Sequence, residues 1–153
     1  MKGIILAGGA GSRMYPISQL YSKQLTLIYD KPLIYYPLSI LMLGGIKDIL
    51  IISNEETIPF YKKLFNDGNH IGLNIEYVLQ SAPNGIAESF ILGDKFIGKD
   101  DVTLILGDNI FYGKLDFFKR ALERKTGATV FGYRVTDPER YGIVEFDEGG
   151  KAI

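Results

Sequence analysis

The chain has 153 residues, of which 46% are hydrophobic and 23% charged, a composition typical of one globular domain that can bury a core. Its formal net charge of −1 gives no electrostatic basis for binding nucleic acid or an anionic membrane surface. It has no cysteine and one histidine, which excludes disulfides, thiolate metal sites and multi-histidine metal sites. The first apolar run is too short for a signal peptide and no apolar stretch is long enough to span a membrane, so we expect a cytoplasmic protein.

Short apolar runs alternate with segments of helical spacing along the chain. We predict strands at residues 3–7, 48–53, 74–79, 101–106, 128–135 and 142–146, and helices at residues 33–43, 56–65, 85–96 and 115–124. A hairpin turn is predicted at residues 148–150, with its second strand cut short at the chain end. The alternation predicts an α/β fold, a Rossmann-like three-layer sandwich with a mostly parallel central sheet.

Polar clusters follow three of the predicted strands. They lie after the first strand, at residues 80–85 after the third, and at residues 107–109 after the fourth. Because ligands of parallel sheets bind at the carboxyl ends of the strands, we expect these clusters to form one site.

A glycine-rich segment follows the first strand directly. Gly8, Gly9 and Gly11 leave backbone amides free to approach a phosphate, and Arg13 adds a permanent charge after Ser12. The spacing matches neither the dinucleotide-binding fingerprint nor the P-loop. A tight turn after a strand is the alternative, but the combination of glycines and arginine favours an anion site.

The other candidate residues are ambiguous on pattern alone. Asp108 after the fourth strand suits a magnesium site, but Asp-Asn is also a common turn. Gln80 carries the donor and acceptor needed to read a base edge, yet it also fits an ordinary loop. Lys23 taken alone is a surface charge, and Tyr141 is one of ten tyrosines.

Several motifs together resemble the glucose-1-phosphate thymidylyltransferases of the sugar-phosphate nucleotidyltransferase family. They are LAGGAGSR at residues 6–13, SKQL at 22–25, YDKPLIYYPLS at 29–39, LGDNIFYG at 106–113, TVFGY at 129–133 and DPERYG at 137–142. The first motif alone fits relatives that use other nucleoside triphosphates, whereas the set as a whole is specific and runs over the whole chain.

The resemblance implies transfer of a thymidylyl group from dTTP to glucose 1-phosphate, with Mg²⁺ as cofactor and pyrophosphate and dTDP-glucose as products, the first step towards deoxysugars for cell-surface polysaccharide. Matching the motifs residue by residue gives each candidate a role. Arg13 and Lys23 would be catalytic, Asp108 would bind the metal, and Lys23, Tyr141 and Gly142 would meet the sugar phosphate. The nucleotide would be held by Leu6, Gly8, Gly9, Gly11, Ser12, Arg13, Gln24, Gln80, Pro83, Gly85 and Asp108.

Chain length is the main departure from the family. Family chains are about twice as long, so we expect residues 1–153 to be one nucleotidyltransferase domain truncated at its C-terminal end, without the second acidic metal ligand and the helices of the homo-oligomer contacts. Three alternatives stay open: a non-catalytic nucleotide-binding module, a UTP-using relative, and a dinucleotide-binding oxidoreductase domain, which the glycine pattern disfavours.

Overall fold

The computed structural model describes residues 1–9, 16 and 22–153. Its residues group into two compact units, Met1–Leu115 and Asp116–Ile153. None of the helices in these described residues has the length and apolar character needed to cross a membrane.

A four-stranded sheet lies at the centre of the first unit. The strands are β1 (Lys2–Leu6), β4 (Asp48–Ser53), β5 (Asn74–Leu79) and β6 (Val102–Leu106), in the order β5-β4-β1-β6, and all are parallel. Ile4, Ile5 and residues 49–52 are fully buried. Such continuous apolar runs are typical of strands covered on both faces, so the predicted parallel α/β sandwich is confirmed.

Helices cover both faces of this sheet. On one face, Leu41 of α1 (Tyr35–Leu43) lies against Gly3, where an added Cβ would be 2.9 Å from the Leu41 Cδ1. The helix α2 (Ile58–Phe65) packs on the same side, since the rings of Tyr35 and Phe65 are 4.9 Å apart. On the other face, Ile4, Leu50 and Ile52 pack against apolar residues of α3 (Glu88–Leu92) and α4 (Asp94–Ile97).

The predicted single helix at residues 85–96 is wrong, because α3 and α4 are separated by Gly93. A Cβ at Gly93 would lie 2.9 Å from the Ser89 carbonyl oxygen and 3.2 Å from the side chains of Ile4 and Leu50. This glycine lets the backbone approach the sheet closely, and the helix breaks there.

A small hairpin not predicted from the sequence joins β1 to α1. It pairs β2 (Leu27–Ile28) with β3 (Lys31–Pro32) in antiparallel register, and it follows a 3₁₀ turn at Lys23–Leu25. The amides of Leu33 and Ile34 donate to the carbonyls of Thr26 and Gln24. These bonds attach the turn that carries Lys23 to the start of α1.

The second unit contains α5 (Asp116–Leu122) and a 3₁₀ turn at Pro138–Arg140. The strands predicted at residues 128–135 and 142–146 are wrong: those segments form no strand and are exposed, with Ile143 at 77%. Apolar residues form strands only where neighbouring strands satisfy their backbone groups. The predicted turn at residues 148–150 is confirmed, since Phe146 and Ala152 form an antiparallel bridge across it.

Candidate functional site

The carboxyl edge of the sheet brings several of the predicted site residues together. The strand order reverses at β1, whose neighbours are β4 on one side and β6 on the other. Ligands of open α/β sheets bind at such a switch point. Gly8 follows β1 there, Gln80 follows β5 and Asp108 follows β6.

Two side-chain hydroxyl groups hold the carbonyl group of Ala7, the residue that follows β1. The Ala7 carbonyl oxygen accepts from the Ser53 hydroxyl at 3.0 Å and from the Tyr61 hydroxyl at 3.5 Å, and all three residues are buried. Burial raises the pKa of Tyr61 to about 12, although hydrogen bonds with Ser22 and Ser53 oppose the shift. The entry to the glycine-rich segment is therefore fixed by side chains from β4 and α2.

Sequence reasoning missed this support for Ala7. The helix predicted at residues 56–65 accounts for the buried Tyr61 ring but says nothing of its hydroxyl group. One signal was available: Ser53 directly follows the apolar run at residues 49–52 of a strand, and a buried hydroxyl needs a hydrogen-bond partner.

The two glycines described in the loop differ in their surroundings. A Cβ at Gly8 would lie 2.7 Å from the Gln80 Oε1 and 3.4 Å from the Ser53 Cα, whereas one at Gly9 would meet none of the described residues within 4 Å. Gly8 therefore admits the Gln80 side chain, and none of the described residues blocks the approach of a phosphate group to Gly9.

Lys23 and Asp108 form an ion pair across the site. The Lys23 Nζ donates to the Asp108 Oδ2 at 2.9 Å, and the two side chains are 36% and 32% exposed. A pair so open to water stabilises the fold by about 1 kcal/mol at most. Its importance is positional, because it brings together a cation and a carboxylate from segments 85 residues apart.

Gly107 allows Asp108 to approach the loop after β1. A Cβ there would be 2.9 Å from the Ala7 Cβ and 3.1 Å from the Gln24 Cγ. Gln24 is itself buried, and its Oε1 accepts from the Ser22 hydroxyl at 2.6 Å. Gln24 thus packs beside Gly107, the residue before Asp108, while its contact with nucleotide stays a prediction.

Gln80 is fixed by a carboxylate. Its Nε2 donates to the Glu88 Oε2 at 2.6 Å, and the Asn84 Nδ2 donates to the Glu88 Oε1 at 2.8 Å. These bonds, the one from Gln80 first, lower the pKa of Glu88. Sequence reasoning missed Glu88, whose signal was an acidic residue in the first turn of a helix after a polar loop.

The remaining predicted residues are less informative. Leu6 is the last residue of β1, Pro83 is exposed in the loop after β5, and Gly85 has a positive φ of 98°. Tyr141 and Gly142 belong to the second unit, where Tyr141 is 55% exposed. Gly11, Ser12 and Arg13 lie outside the described residues.

Asp108 is the one carboxylate that the described residues 1–9, 16 and 22–153 place beside Lys23, and no group of three His, Cys, Asp or Glu side chains suited to a metal occurs in that part of the chain. Mg²⁺ in phosphate-transfer sites is commonly bound by one or two carboxylates together with substrate phosphates. A single hard oxygen donor at the strand end fits that arrangement.

Comparison with known proteins agrees with this geometry. Residues 2–153 match the family described as Nucleotidyl transferase. The chain therefore belongs to the nucleotidyl transferase family. The resemblance inferred from the sequence motifs is confirmed.

Two curated relatives of this nucleotidyl transferase are named glucose-1-phosphate thymidylyltransferase. The one from Neisseria gonorrhoeae is 56% identical over the whole chain, which covers 54% of the relative. The one from Mycolicibacterium smegmatis is 49% identical over the whole chain, again covering 54% of the relative. The chain thus spans about half the length of the curated relatives it matches.

Solved structures show the same fold. A Bacillus anthracis protein assigned as a glucose-1-phosphate thymidylyltransferase, in complex with sucrose, has a TM-score of 0.88 and 37% identity, covering 97% of this chain and 61% of its own. A UDP-glucose pyrophosphorylase complexed with UDP-glucose has a TM-score of 0.64 and 23% identity over 79% of this chain and 51% of its own, a likeness of fold alone.

Proposed function

We propose that the chain is the nucleotide-binding and catalytic part of a glucose-1-phosphate thymidylyltransferase. The observation that carries the proposal is the convergence of the Lys23–Asp108 ion pair, Gly8 and Gln80 at the switch point of the sheet. The names of the relatives, at 49% and 56% identity, support the choice of dTTP and glucose 1-phosphate as substrates. Their greater length makes the activity of these 153 residues alone a separate question.

In the proposed reaction, a phosphate oxygen of glucose 1-phosphate attacks the α-phosphorus of dTTP. The new P–O bond forms as the bond to the β-phosphate breaks, giving dTDP-glucose and pyrophosphate. The nucleophile is already an anionic oxygen, so no general base is required. The protein must instead position two anions and offset their charge.

Lys23 is the described cation best placed for that task. Its ammonium group pairs with Asp108, and both side chains are open enough to exchange partners. On substrate binding, Lys23 would contact the reacting phosphates, a partner that carries more charge than one carboxylate. Arg13, which completes the glycine-rich motif, would offset charge on the departing pyrophosphate.

Sugar nucleotidyltransferases generally use a divalent metal. We infer that Asp108 would hold Mg²⁺ here, and a bound Mg²⁺ would neutralise phosphate charge. If Lys23 leaves Asp108 for a phosphate oxygen, the Asp108 carboxylate would be free to bind the metal.

The remaining roles are those that the resemblance implies. Gln80 would meet the thymine edge together with Gly85 and Pro83, and Gln24 would border the nucleotide beside Lys23. Tyr141 and Gly142 would meet the sugar. Both substrates are multiply charged and cross membranes poorly, which supports a cytoplasmic location. We also propose a homo-oligomer, as the resemblance implies.

The test is to incubate the chain with dTTP, glucose 1-phosphate and Mg²⁺ and to follow pyrophosphate. Release that requires all three components is expected. Binding of dTTP by calorimetry without release would instead indicate a nucleotide-binding module. Tighter binding of NAD than of dTTP would contradict both. Comparing UTP with dTTP under the same conditions tests the choice of pyrimidine.

A further inference from the structure

Glu88 accepts two hydrogen bonds that have no part in the proposed reaction. It lies in the first turn of α3, and each of its carboxylate oxygens accepts from a different side-chain amide. One amide belongs to Asn84 at 2.8 Å and the other to Gln80 at 2.6 Å. Gln80 is 5% exposed, so its side chain has little freedom to turn away from this partner.

The carboxylate determines which end of the Gln80 amide faces Gly8. An amide has a donor end and an acceptor end, and only the NH₂ group can face a carboxylate at 2.6 Å without repulsion between two oxygens. The Gln80 Oε1 is accordingly directed to the other side, where it lies 2.7 Å from the position of a Cβ on Gly8. Beside Gly8, Gln80 thus presents a hydrogen-bond acceptor.

An acceptor at this place distinguishes two classes of pyrimidine. Thymine and uracil carry an N3–H donor on their pairing edge, whereas cytosine has an unprotonated N3, which is an acceptor. An amide oxygen facing N3 gains a hydrogen bond from thymine or uracil and sets two acceptors opposite each other in cytosine. Such an unsatisfied contact weakens binding by about 5- to 150-fold.

We propose that Glu88 is a positioning residue that fixes the Gln80 amide so that the site prefers nucleotides with an imide N3–H over cytosine nucleotides. This inference rests on the proposed function, in which Gln80 meets the base. Glu88 itself contacts no substrate and acts through Gln80. It does not separate thymine from uracil, since both carry the same N3–H.

The experiment measures the dissociation constants of dTTP and dCTP in the presence of Mg²⁺, by calorimetry, for the whole chain and its variants. The ratio of the two constants is the readout, because removal of a carboxylate near a triphosphate changes both affinities in the same direction. The unaltered chain is expected to prefer dTTP by about 10-fold or more, the equivalent of one hydrogen bond. Glu88→Ala is expected to reduce that preference to about 3-fold or less, because the Gln80 amide can then turn round.

Asn84→Ala is the matched control, because it removes the other donor to Glu88 and leaves the Gln80 bond in place. It is expected to keep the preference for dTTP. Thermal melts verify that each variant is folded. An unchanged ratio in Glu88→Ala would overturn the inference, as would an equal loss in Asn84→Ala.

Gln80→Ala separates this inference from the proposed function. If Gln80→Ala weakens dTTP binding and Glu88→Ala leaves the ratio unchanged, the positioning role alone is wrong. If the unaltered chain fails to bind dTTP, or if Gln80→Ala binds it with unchanged affinity, the proposed base contact is wrong and the inference is overturned with it.

Discussion

Two sides of the candidate site use opposite means to hold their side chains. Lys23 and Asp108 form one hydrogen-bonded ion pair that is about one-third exposed, and each can leave the other for a stronger partner. Gln80 is buried, and its donor end is bonded to a carboxylate that also binds Asn84. The difference matches the two tasks of the proposed site, since charges must exchange partners during phosphoryl transfer whereas a base-reading amide must not turn.

The largest effect is expected on the charged side. Lys23→Ala removes the described cation nearest the proposed phosphates, so pyrophosphate release should fall by about 100-fold or more. The melting temperature should change little, because the lost ion pair is largely solvated. Lys99→Ala, at another exposed lysine, is the control and should retain full activity. Retained activity in Lys23→Ala would remove Lys23 from the mechanism.

A smaller effect is expected where the glycine-rich segment meets Gln80. In Gly8→Ala the new methyl group would lie 2.7 Å from the Gln80 Oε1, so the free energy of unfolding should fall by about 1–3 kcal/mol. Binding of dTTP should weaken as well, because Gln80 is displaced.

Gly9→Ala is the matched variant, since its methyl group would lie more than 4 Å from the side chains and backbone of the described residues. It should unfold at the same denaturant concentration as the unaltered chain, yet bind dTTP more weakly, because the methyl group occupies space proposed for phosphate. If Gly8→Ala and Gly9→Ala unfold at the same urea concentration, the close contact between Gly8 and the Gln80 side chain is wrong.

The smallest effect is expected at the Ala7 carbonyl group, which accepts hydrogen bonds from Ser53 and Tyr61. Tyr61→Phe removes a hydroxyl group 3.5 Å from the Ala7 carbonyl oxygen, while Ser53 keeps its bond at 3.0 Å. Stability should fall by about 1 kcal/mol and dTTP binding a few-fold. Tyr77→Phe is the control, because the Tyr77 hydroxyl donates to the backbone carbonyls of Asn66 and Tyr61 and not to that of Ala7. It should leave dTTP binding unchanged.

The alkaline pH dependence of stability gives a second readout for Tyr61. Burial holds the pKa of folded Tyr61 at about 12, against 10.0 ordinarily. The contribution of un-ionised Tyr61 to the free energy of unfolding is therefore present below pH 10 and is lost as the pH rises to 12. Burial raises the pKa of Tyr77 to about 12 as well. Tyr61→Phe should therefore lessen the loss of stability between pH 10 and 12 without abolishing it. An unchanged loss would show that Tyr61 ionises as freely in the folded state as in the unfolded state.

The sequence predicted the sheet well because its strands are buried on both faces. Continuous runs such as Ile49 to Ile52 have few alternatives to a covered parallel strand, and the bounds Asp48–Ser53 and Asn74–Leu79 agree with the predicted residues. The same reasoning failed at residues 128–135, where apolar residues have no neighbouring strand in the described part of the chain.

The candidate site could be predicted only as a set of strand ends. The positions of Gly8, Gln80 and Asp108 after β1, β5 and β6 follow from topology. The Glu88 bond to Gln80 and the support of Ala7 by Ser53 and Tyr61 depend on side chains that meet only after folding. No pattern along the chain encodes those distances, so sequence reasoning identified the site and missed what holds it in place.

A crystal structure of the chain with dTTP and Mg²⁺ tests the central claim most directly. We predict the triphosphate at the carboxyl edge of the sheet, with the Lys23 ammonium moved from Asp108 to a phosphate oxygen and the thymine N3–H facing the Gln80 Oε1. A nucleotide bound elsewhere, with the 2.9 Å Lys23–Asp108 pair intact, would contradict the account.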